Sequence, residues 1–346
     1  LGRAFRTTPQ HPYRLTGRDA LIQGVEVLRA LCTAADYPLM GELSANFRLP
    51  TAVGAVRPTC LCPKTMMDGH QSDDSSWVLV GIKGWAEFDA GYAASNLGPQ
   101  VQAVEVLLPE PRLAANVTSI DLACLFEKRD FREKLIAQIK PRLDGAERVG
   151  FPAVLGRRKA LGAVDDLVRQ LGVPVFEIPT MPPSVPGVRL FDILYRALRD
   201  KGVEIILGPE VTGWVDNGAV QGVVTCGASG QRRIKAGAVV LATGGLLNGG
   251  LVAQEGGTVI ESVFNIPVEA PPREDWYAPL FFEPHPLHAV GVQVNSQMQP
   301  VVDGTVRYKG LYAVGGLLAG ADRLGEASTQ GIDLATAVRA VETITA

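Results

Sequence analysis

The stretch over residues 188–250 restricts the possible folds more than any other part of this 346-residue chain. Apolar residues at helical spacing (Phe191, Leu194, Tyr195 and Leu198) predict a helix over residues 188–200 and share one face of it. Asp216-Asn217-Gly218 is a hairpin turn signal. Around it, short apolar runs predict strands over residues 203–207, 211–215 and 220–226. The order helix, strand, hairpin is typical of a mixed α/β protein.

A buried strand with a glycine turn closes this stretch. Val239-Val240-Leu241 is uniformly apolar and leads into Ala242-Thr243-Gly244-Gly245. A glycine pair at the carboxyl end of such a strand lets a ligand lie against bare backbone. The turn therefore indicates a ligand site, although an ordinary α/β strand can end in the same way.

Strands alternate with helices over residues 77–180. Apolar runs predict strands over residues 77–82, 101–108, 148–154 and 173–178. Helical periodicity predicts helices over residues 86–96, 131–143 and 160–171, with another that Ser119 caps. This alternation predicts a parallel sheet covered on both faces. We therefore expect three regions: residues 1–76 as part of a cap or substrate region, residues 77–180 as an α/β unit, and residues 181–346 as the rest of a ligand-binding fold.

The C-terminal part predicts a second glycine turn. A strand is predicted over residues 259–268, and a last buried strand over residues 311–314 leads into Gly315-Gly316. A glycine-dotted loop then reaches a predicted helix over residues 331–344. Unpaired N–H groups at a helix N-terminus favour anions, so this end of the chain is receptive to an anion.

Composition excludes several classes of function. The formal net charge is -3 without a long run of like charge, which argues against a nucleic-acid surface. Five scattered cysteines fit reduced thiols and give no spacing suited to a metal or iron–sulfur site, so we predict no metal. Residues 236–254 carry no charge, but five glycines interrupt them, so a membrane span is not predicted.

Four motifs together resemble a known family. They are the proline-rich run at residues 179–190, the two glycine turns with their flanks at residues 242–253 and 311–322, and the aromatic and proline-rich run at residues 276–286. Their order is similar to that in the B subunits of anaerobic glycerol-3-phosphate dehydrogenase, which are two-dinucleotide-fold flavoproteins of the FAD/NAD(P)-binding type. The resemblance covers nearly the whole chain.

The resemblance implies a flavin, either FMN or FAD, and oxidation of sn-glycerol 3-phosphate to dihydroxyacetone phosphate with electrons passed to membrane quinone. It also implies two partners, a larger flavoprotein subunit and a membrane-associated iron–sulfur subunit. Through them the protein is expected to be cytoplasmic and peripheral at the inner face of the cell membrane. Three alternatives stay open. The larger partner holds the substrate site and this chain is a flavin electron carrier without a base, or the chain is another FAD-dependent oxidoreductase of a small hydroxy or dicarboxylic acid, or it is a structural subunit without flavin.

Two features depart from the family's pattern. The chain contains no G-x-G-x-x-G fingerprint, so we expect the N-terminal dinucleotide-binding unit to lie upstream of Leu1. Gly315-Gly316 stands where many related flavoproteins carry a Gly-Asp pair. Backbone contacts to the flavin survive this change, whereas a carboxylate contact from that position is not expected.

The candidate site residues follow from this comparison. The flavin is expected at Thr243, Gly244, Gly245, Gly315 and Gly316. Alcohol oxidation needs a base, for which His285 and His288 are candidates. It also needs cations for a phosphate, for which the candidates are Arg189, which opens the predicted helix, and Arg57, Lys64 and Arg273. For each of them, an ordinary surface or locally bonded side chain is the alternative.

Overall fold

The computed structural model describes residues 9–109, 117–228 and 230–346. The chain forms two compact units. The first comprises the chain through Leu28 together with Ile205–Ala346, and the second comprises Arg29–Glu204. The predicted boundaries after residues 76 and 180 both fall inside the second unit.

The elements are numbered in chain order. The α-helices are α1 (Pro12–Ala34), α2 (Lys64–Met67), α3 (Ala90–Leu97), α4 (Ser119–Phe126), α5 (Arg129–Ile139), α6 (Ala160–Leu171), α7 (Val185–Asp200) and α8 (Thr329–Thr345). Short 3₁₀ turns cover Lys140–Arg142, Leu246–Asn248, Arg273–Asp275, Pro286–Ala289 and Gly315–Leu317. The strands are β1 (Leu39–Met40), β2 (Phe47–Pro50), β3 (Val56–Thr59), β4 (Cys62–Pro63), β5 (Trp77–Ile82), β6 (Val101–Val106), β7 (Arg148–Pro152), β8 (Val175–Ile178), β9 (Glu210–Asp216), β10 (Ala219–Gly227), β11 (Gly230–Lys235), β12 (Val239–Leu241), β13 (Leu251–Ala253), β14 (Val259–Glu261), β15 (Pro267–Val268), β16 (Val301–Val302), β17 (Thr305–Val306) and β18 (Leu311–Ala313).

The second unit is built on a four-stranded parallel sheet. Its strand order is β6-β5-β7-β8, and all six residues of β5 are buried. The prediction of a parallel α/β sheet over this region is confirmed, with the bounds of β5 and α6 as predicted. The cap of α4 differs by one residue, because Thr118 and Asp121 form a reciprocal capping box ahead of Ser119.

Helix α7 begins three residues earlier than predicted. Ser184 accepts a hydrogen bond from the Gly187 N–H, and Pro186 fits the first turn because its missing N–H would be unpaired there. The shared apolar face is not the buried face of the helix. The buried side chains are Val185, Arg189 and Ile193, whereas Phe191 is 62% exposed.

The first unit contains a short parallel pair and antiparallel ribbons. Strand β12 pairs in parallel with β18, so that Val239 faces Leu311 and Leu241 faces Ala313. Strands β9, β10 and β11 form an antiparallel sheet. The predicted hairpin between β9 and β10 is confirmed. Asn217 and Gly218 both have positive φ, as a two-residue turn matched to strand twist requires.

Two predicted strands in the C-terminal half of the chain were wrong. Residues 203–207 form no strand, and Leu207 is 78% exposed. The predicted strand over residues 259–268 is two short strands, β14 and β15, that pair antiparallel with each other. The chain reverses between them because the buried carboxylate of Glu261 accepts hydrogen bonds from the N–H groups of Val263 and Phe264, both at 2.8 Å.

Candidate functional site

The two predicted glycine turns lie together at one edge of the first unit. Strands β12 and β18 run parallel, so the residues that follow them emerge at the same end. A Cβ atom added at Gly245 would lie 3.0 Å from the Gly316 carbonyl oxygen, and one added at Gly316 would lie 3.5 Å from the Gly244 Cα. The structure therefore brings Thr243-Gly244-Gly245 and Gly315-Gly316 into one cradle, which we call the glycine cradle.

Side chains are excluded from two positions of the glycine cradle. Gly244 has φ +77° and Gly315 has φ +68°, which is the left-handed region that L residues with a Cβ rarely adopt. A Cβ at Gly244 would lie 2.7 Å from the Asn248 Cβ, and one at Gly315 would lie 2.7 Å from the Asp333 Oδ1. The backbone at both turns is bare as a consequence.

Helix α8 holds the second turn in place. The Gly315 N–H donates to the hydroxyl oxygen of Thr336 at 2.9 Å, and that hydroxyl donates to the Ile332 carbonyl at 2.6 Å. Thr336 is fully buried. The glycine cradle is thus fixed to the first turns of α8, which is the helix that the sequence placed after the second glycine turn.

An ion pair that the sequence analysis missed borders the glycine cradle. The Arg323 guanidinium donates to Asp333 Oδ1 at 2.6 Å and to the Thr329 carbonyl at 3.0 Å, and its Nη1 lies against Gly316. Burial raises the pKa of the Asp333 carboxyl, and Arg323 opposes that rise. The ion pair puts both a cation and a carboxylate at the N-terminus of α8. The sequence did carry one signal for this ion pair, because the adjacent charges Asp322-Arg323 stand inside an otherwise glycine-rich loop.

His288 lies beside Asp322, the residue that precedes Arg323 in the same loop. Its Nδ1 is 3.6 Å from Asp322 Oδ1, and about a third of the His288 side chain (33%) is exposed. Within the described residues, no hydrogen bond to His288 Nε2 is formed. A histidine with a carboxylate near one ring nitrogen and an unbonded second nitrogen has the arrangement of a general base.

Backbone pairing places His288 next to Asp322. The Val292 N–H donates to the Leu317 carbonyl at 2.8 Å, the Ala319 N–H to the Val292 carbonyl at 3.1 Å, and the Gly320 N–H to the Ala289 carbonyl at 3.0 Å. We call residues 289–292 and 317–320, which these bonds join, the paired segments. They run directly from the His288 turn to the Asp322 loop.

His285, the other predicted base, is occupied by local hydrogen bonds. Its Nδ1 accepts from the Ala278 N–H at 3.0 Å, and its Nε2 lies 3.1 Å from the Phe281 carbonyl, to which it donates. Its ring meets that of His288 edge-on, with centroids 5.1 Å apart. The geometry gives His285 the role of holding its loop and leaves His288 as the stronger candidate base.

Arg189 is buried in the second unit. Its guanidinium forms a bidentate pair with Glu177, at 2.6 and 2.8 Å, and its Nε donates to the Gly156 carbonyl at 2.8 Å. Arg189 is 3% exposed and Glu177 is 1% exposed. Tyr37 lies 3.4 Å away, and burial raises the pKa of its hydroxyl to about 12. These partners favour a structural role for Arg189, and its predicted catalytic role stays a prediction.

The other predicted phosphate-binding cations, Arg57, Lys64 and Arg273, are exposed. Arg57 and Lys64 belong to the second unit, and Arg273 to the first. Within the described part of the chain, no helix has the length and apolarity that crossing a membrane takes.

Comparison with known proteins gives the protein its class. The profile of the FAD binding domain family matches residues 3–329. The chain is 32% identical to a protein of Halobacterium salinarum named as a probable B subunit of anaerobic glycerol-3-phosphate dehydrogenase, over 94% of this chain and 79% of that one. It is 28% identical to the B subunit of anaerobic glycerol-3-phosphate dehydrogenase from Pectobacterium atrosepticum, over 98% of this chain and 82% of that one. No solved structure matches.

The fold and these matches define a flavin-binding protein of the FAD binding domain family. Within that class, the chain belongs to the family of the B subunits of anaerobic glycerol-3-phosphate dehydrogenase. The resemblance inferred from the motifs is confirmed, and so is the expected flavin, with FAD as the form that the family binds.

The residues of the glycine cradle fit a flavin. Thr243 Oγ1 is buried and has no hydrogen-bond partner among the described residues, so it is free to bond a ligand. Bare backbone at Gly244 and Gly315 permits close approach of a flat ring or of a phosphate. A carboxylate does lie against Gly315, that of Asp333, and it is paired with Arg323.

Proposed function

We propose that this protein is the flavin-bearing subunit of an anaerobic glycerol-3-phosphate dehydrogenase. In this role it oxidises sn-glycerol 3-phosphate to dihydroxyacetone phosphate and passes the electrons towards membrane quinone. The observation that carries the proposal is the continuity of the site: the glycine cradle, Arg323, Asp322 and His288 follow one another in space within the first unit. The names of the relatives supply the substrate.

The chemistry divides among these residues. Oxidation of a secondary alcohol to a ketone removes a proton from oxygen and a hydride from carbon. A bound flavin supplies the acceptor for the hydride. His288 Nε2 accepts the hydroxyl proton and, being partly exposed, releases it to water. The Arg323 cation lies at the edge of the glycine cradle, where it favours an anionic substrate.

Anaerobic mixing of the flavin-loaded protein with candidate substrates tests the proposal. sn-Glycerol 3-phosphate is expected to bleach the flavin absorbance, whereas glycerol and small hydroxy or dicarboxylic acids leave it oxidised. Bleaching by malate or lactate and not by glycerol 3-phosphate would assign the protein to another class of flavin oxidoreductase.

The two histidines provide a matched pair of variants for the same assay. His288→Gln is expected to slow bleaching by about 10²- to 10⁴-fold, the usual contribution of a general base. His285→Gln keeps a side chain that can bond the same loop and is expected to stay within about 10-fold of wild type. The reverse order of effects would move the base to His285.

We further propose that the protein works within a complex. Its relatives are named as subunits, and we infer two partners, a larger flavoprotein and a membrane-associated iron–sulfur subunit, which hold it at the inner face of the cell membrane. Gentle purification of a tagged chain from its own cells is expected to recover both partners in the membrane fraction. Recovery of the chain alone from the soluble fraction would contradict this assembly.

A further inference from the structure

We propose that Asp322 is a positioning residue that keeps the proton of the neutral His288 imidazole on Nδ1 and so leaves Nε2 as the proton acceptor. This inference rests on the proposed function, because it gives His288 a defined direction of proton transfer. Its basis is the pairing of His288 Nδ1 with Asp322 Oδ1 at 3.6 Å, together with an Nε2 that no described group bonds.

The Asp322 carboxylate is itself held in place. Its Oδ1 accepts from the Gly325 N–H at 3.0 Å, and the Asp322 carbonyl accepts from the Glu326 N–H at 2.8 Å. Only 23% of its side chain is exposed. A carboxylate that its own loop already holds in place can orient an imidazole. No conformational entropy is then lost in fixing the carboxylate when the reaction occurs.

The separation of 3.6 Å is longer than a hydrogen bond. Catalytic hydrogen bonds are often long without substrate and tighten when the substrate binds. Closure by roughly half an ångström would complete the bond. The other ring nearby, that of His285, cannot compete for Asp322, since both of its nitrogens are engaged by Ala278 and Phe281.

The paired segments bring the side chains of His288 and Asp322 together. Gly291 has no room for a side chain: a Cβ atom there would lie 2.5 Å from the Ala319 amide nitrogen and 2.6 Å from the Leu317 carbonyl oxygen. Close backbone approach at Gly291 therefore places the His288 turn against the Asp322 loop. Gly291 lies three residues from His288, so a single glycine in the sequence accounts for the position of His288 next to Asp322.

The tautomer of His288 tests the inference without reference to activity. The chain has four histidines, so the ring nitrogen signals of ¹⁵N-histidine-labelled, flavin-loaded protein can be assigned with single His→Gln variants. Wild type is expected to carry the proton on His288 Nδ1. In Asp322→Asn the new amide can donate to Nδ1, so the proton is expected to move to Nε2. The His285 signals report whether the fold is kept, and they are expected to stay unchanged. A wild-type proton on Nε2, or the same tautomer in both proteins, would overturn the inference.

Kinetics separate this inference from the proposed function. With sn-glycerol 3-phosphate, Asp322→Asn is expected to lower kcat by about 100-fold or more with little change in KM, because the wrong tautomer removes the base and not the binding site. Asp322→Glu is expected to recover part of the lost kcat. If the tautomer changes as expected and kcat does not, Asp322 still positions His288, and the role of His288 as the base is overturned.

Discussion

At the scale of single residues, the glycine cradle makes a sharp prediction. Gly244→Val and Gly315→Val are expected to abolish flavin binding, because both positions have positive φ and a Cβ there would meet Asn248 or Asp333. Gly237→Val is the matched control, since Gly237 precedes β12, the strand that Gly244 follows, and a Cβ atom there meets open space. Flavin content per chain after purification checks the set. Full flavin content in both cradle variants would contradict the site.

The buried pair of Arg189 and Glu177 makes a different kind of prediction. Arg189→Met leaves the Glu177 carboxylate buried without its partner and is expected to cost about 3–5 kcal/mol of unfolding free energy. Arg189→Met combined with Glu177→Leu removes both charges and is expected to recover most of that loss. Urea unfolding measures all three proteins. A stable Arg189→Met variant without activity would instead support the predicted catalytic role of Arg189.

Residue identity was predictable at the glycine turns and not at the charged groups. Glycine pairs after apolar strands are visible in sequence because backbone geometry requires them. The partner of Arg189 is Glu177 on a neighbouring strand, and Tyr37 lies 152 positions away along the chain, so no local pattern could show that Arg189 is buried. His288 was identified as a candidate, but its partner Asp322 lies on a distant loop that only the fold brings near.

At the scale of elements, Glu261 explains why one predicted strand is two. Residues 259–268 are largely apolar, which predicts a continuous strand. The structure instead buries the Glu261 carboxylate under the N–H groups of Val263 and Phe264, and Asn265 adopts φ +54° within the turn. A carboxylate that bonds its own backbone competes with strand pairing, and the apolar pattern does not show this competition.

The same turn predicts a pH effect. Burial raises the pKa of the Glu261 carboxyl, although its two backbone hydrogen bonds oppose the rise. The folded state then holds this proton more tightly than the unfolded state, so this contribution to stability is full below the usual glutamate pKa. It is lost as the pH rises through the raised value.

Glu261→Gln is expected to remove this decline from the curve of unfolding free energy against pH. It is also expected to cost about 1–3 kcal/mol at acid pH, because the amide can accept only one of the two N–H groups. The difference between the wild-type and variant curves isolates Glu261 from other carboxyl groups. An identical slope in both proteins would contradict the assignment.

Helix α7 shows what periodicity can and cannot predict. The spacing of its apolar residues correctly predicted a helix that ends at residue 200. It did not predict which residues the second unit covers. Val185 and Ile193 are buried, while Leu194 and Leu198 are 37% and 45% exposed. An apolar stripe shows that a face can be buried, and tertiary packing decides which face is.

At the scale of the whole molecule, the parallel sheet was predictable and the pairing of β12 with β18 was not. Alternating strands and helices permit few arrangements, so the sheet of the second unit follows from pattern alone. The first unit combines the N-terminal segment with everything after Ile205. Its central pair joins Val239–Leu241 to Leu311–Ala313 across a long intervening segment, and local sequence contains no signal for that pairing.

The flavin content of the protein tests the central claim most directly. The absorbance spectrum of the purified protein is expected to be that of an oxidised flavin, and chromatography of the released chromophore is expected to identify FAD, near one per chain. This result would support FAD binding by the protein, for which the glycine cradle after β12 and β18 is the proposed site. A well-folded, colourless protein that takes up no FAD when it is supplied would contradict the claim.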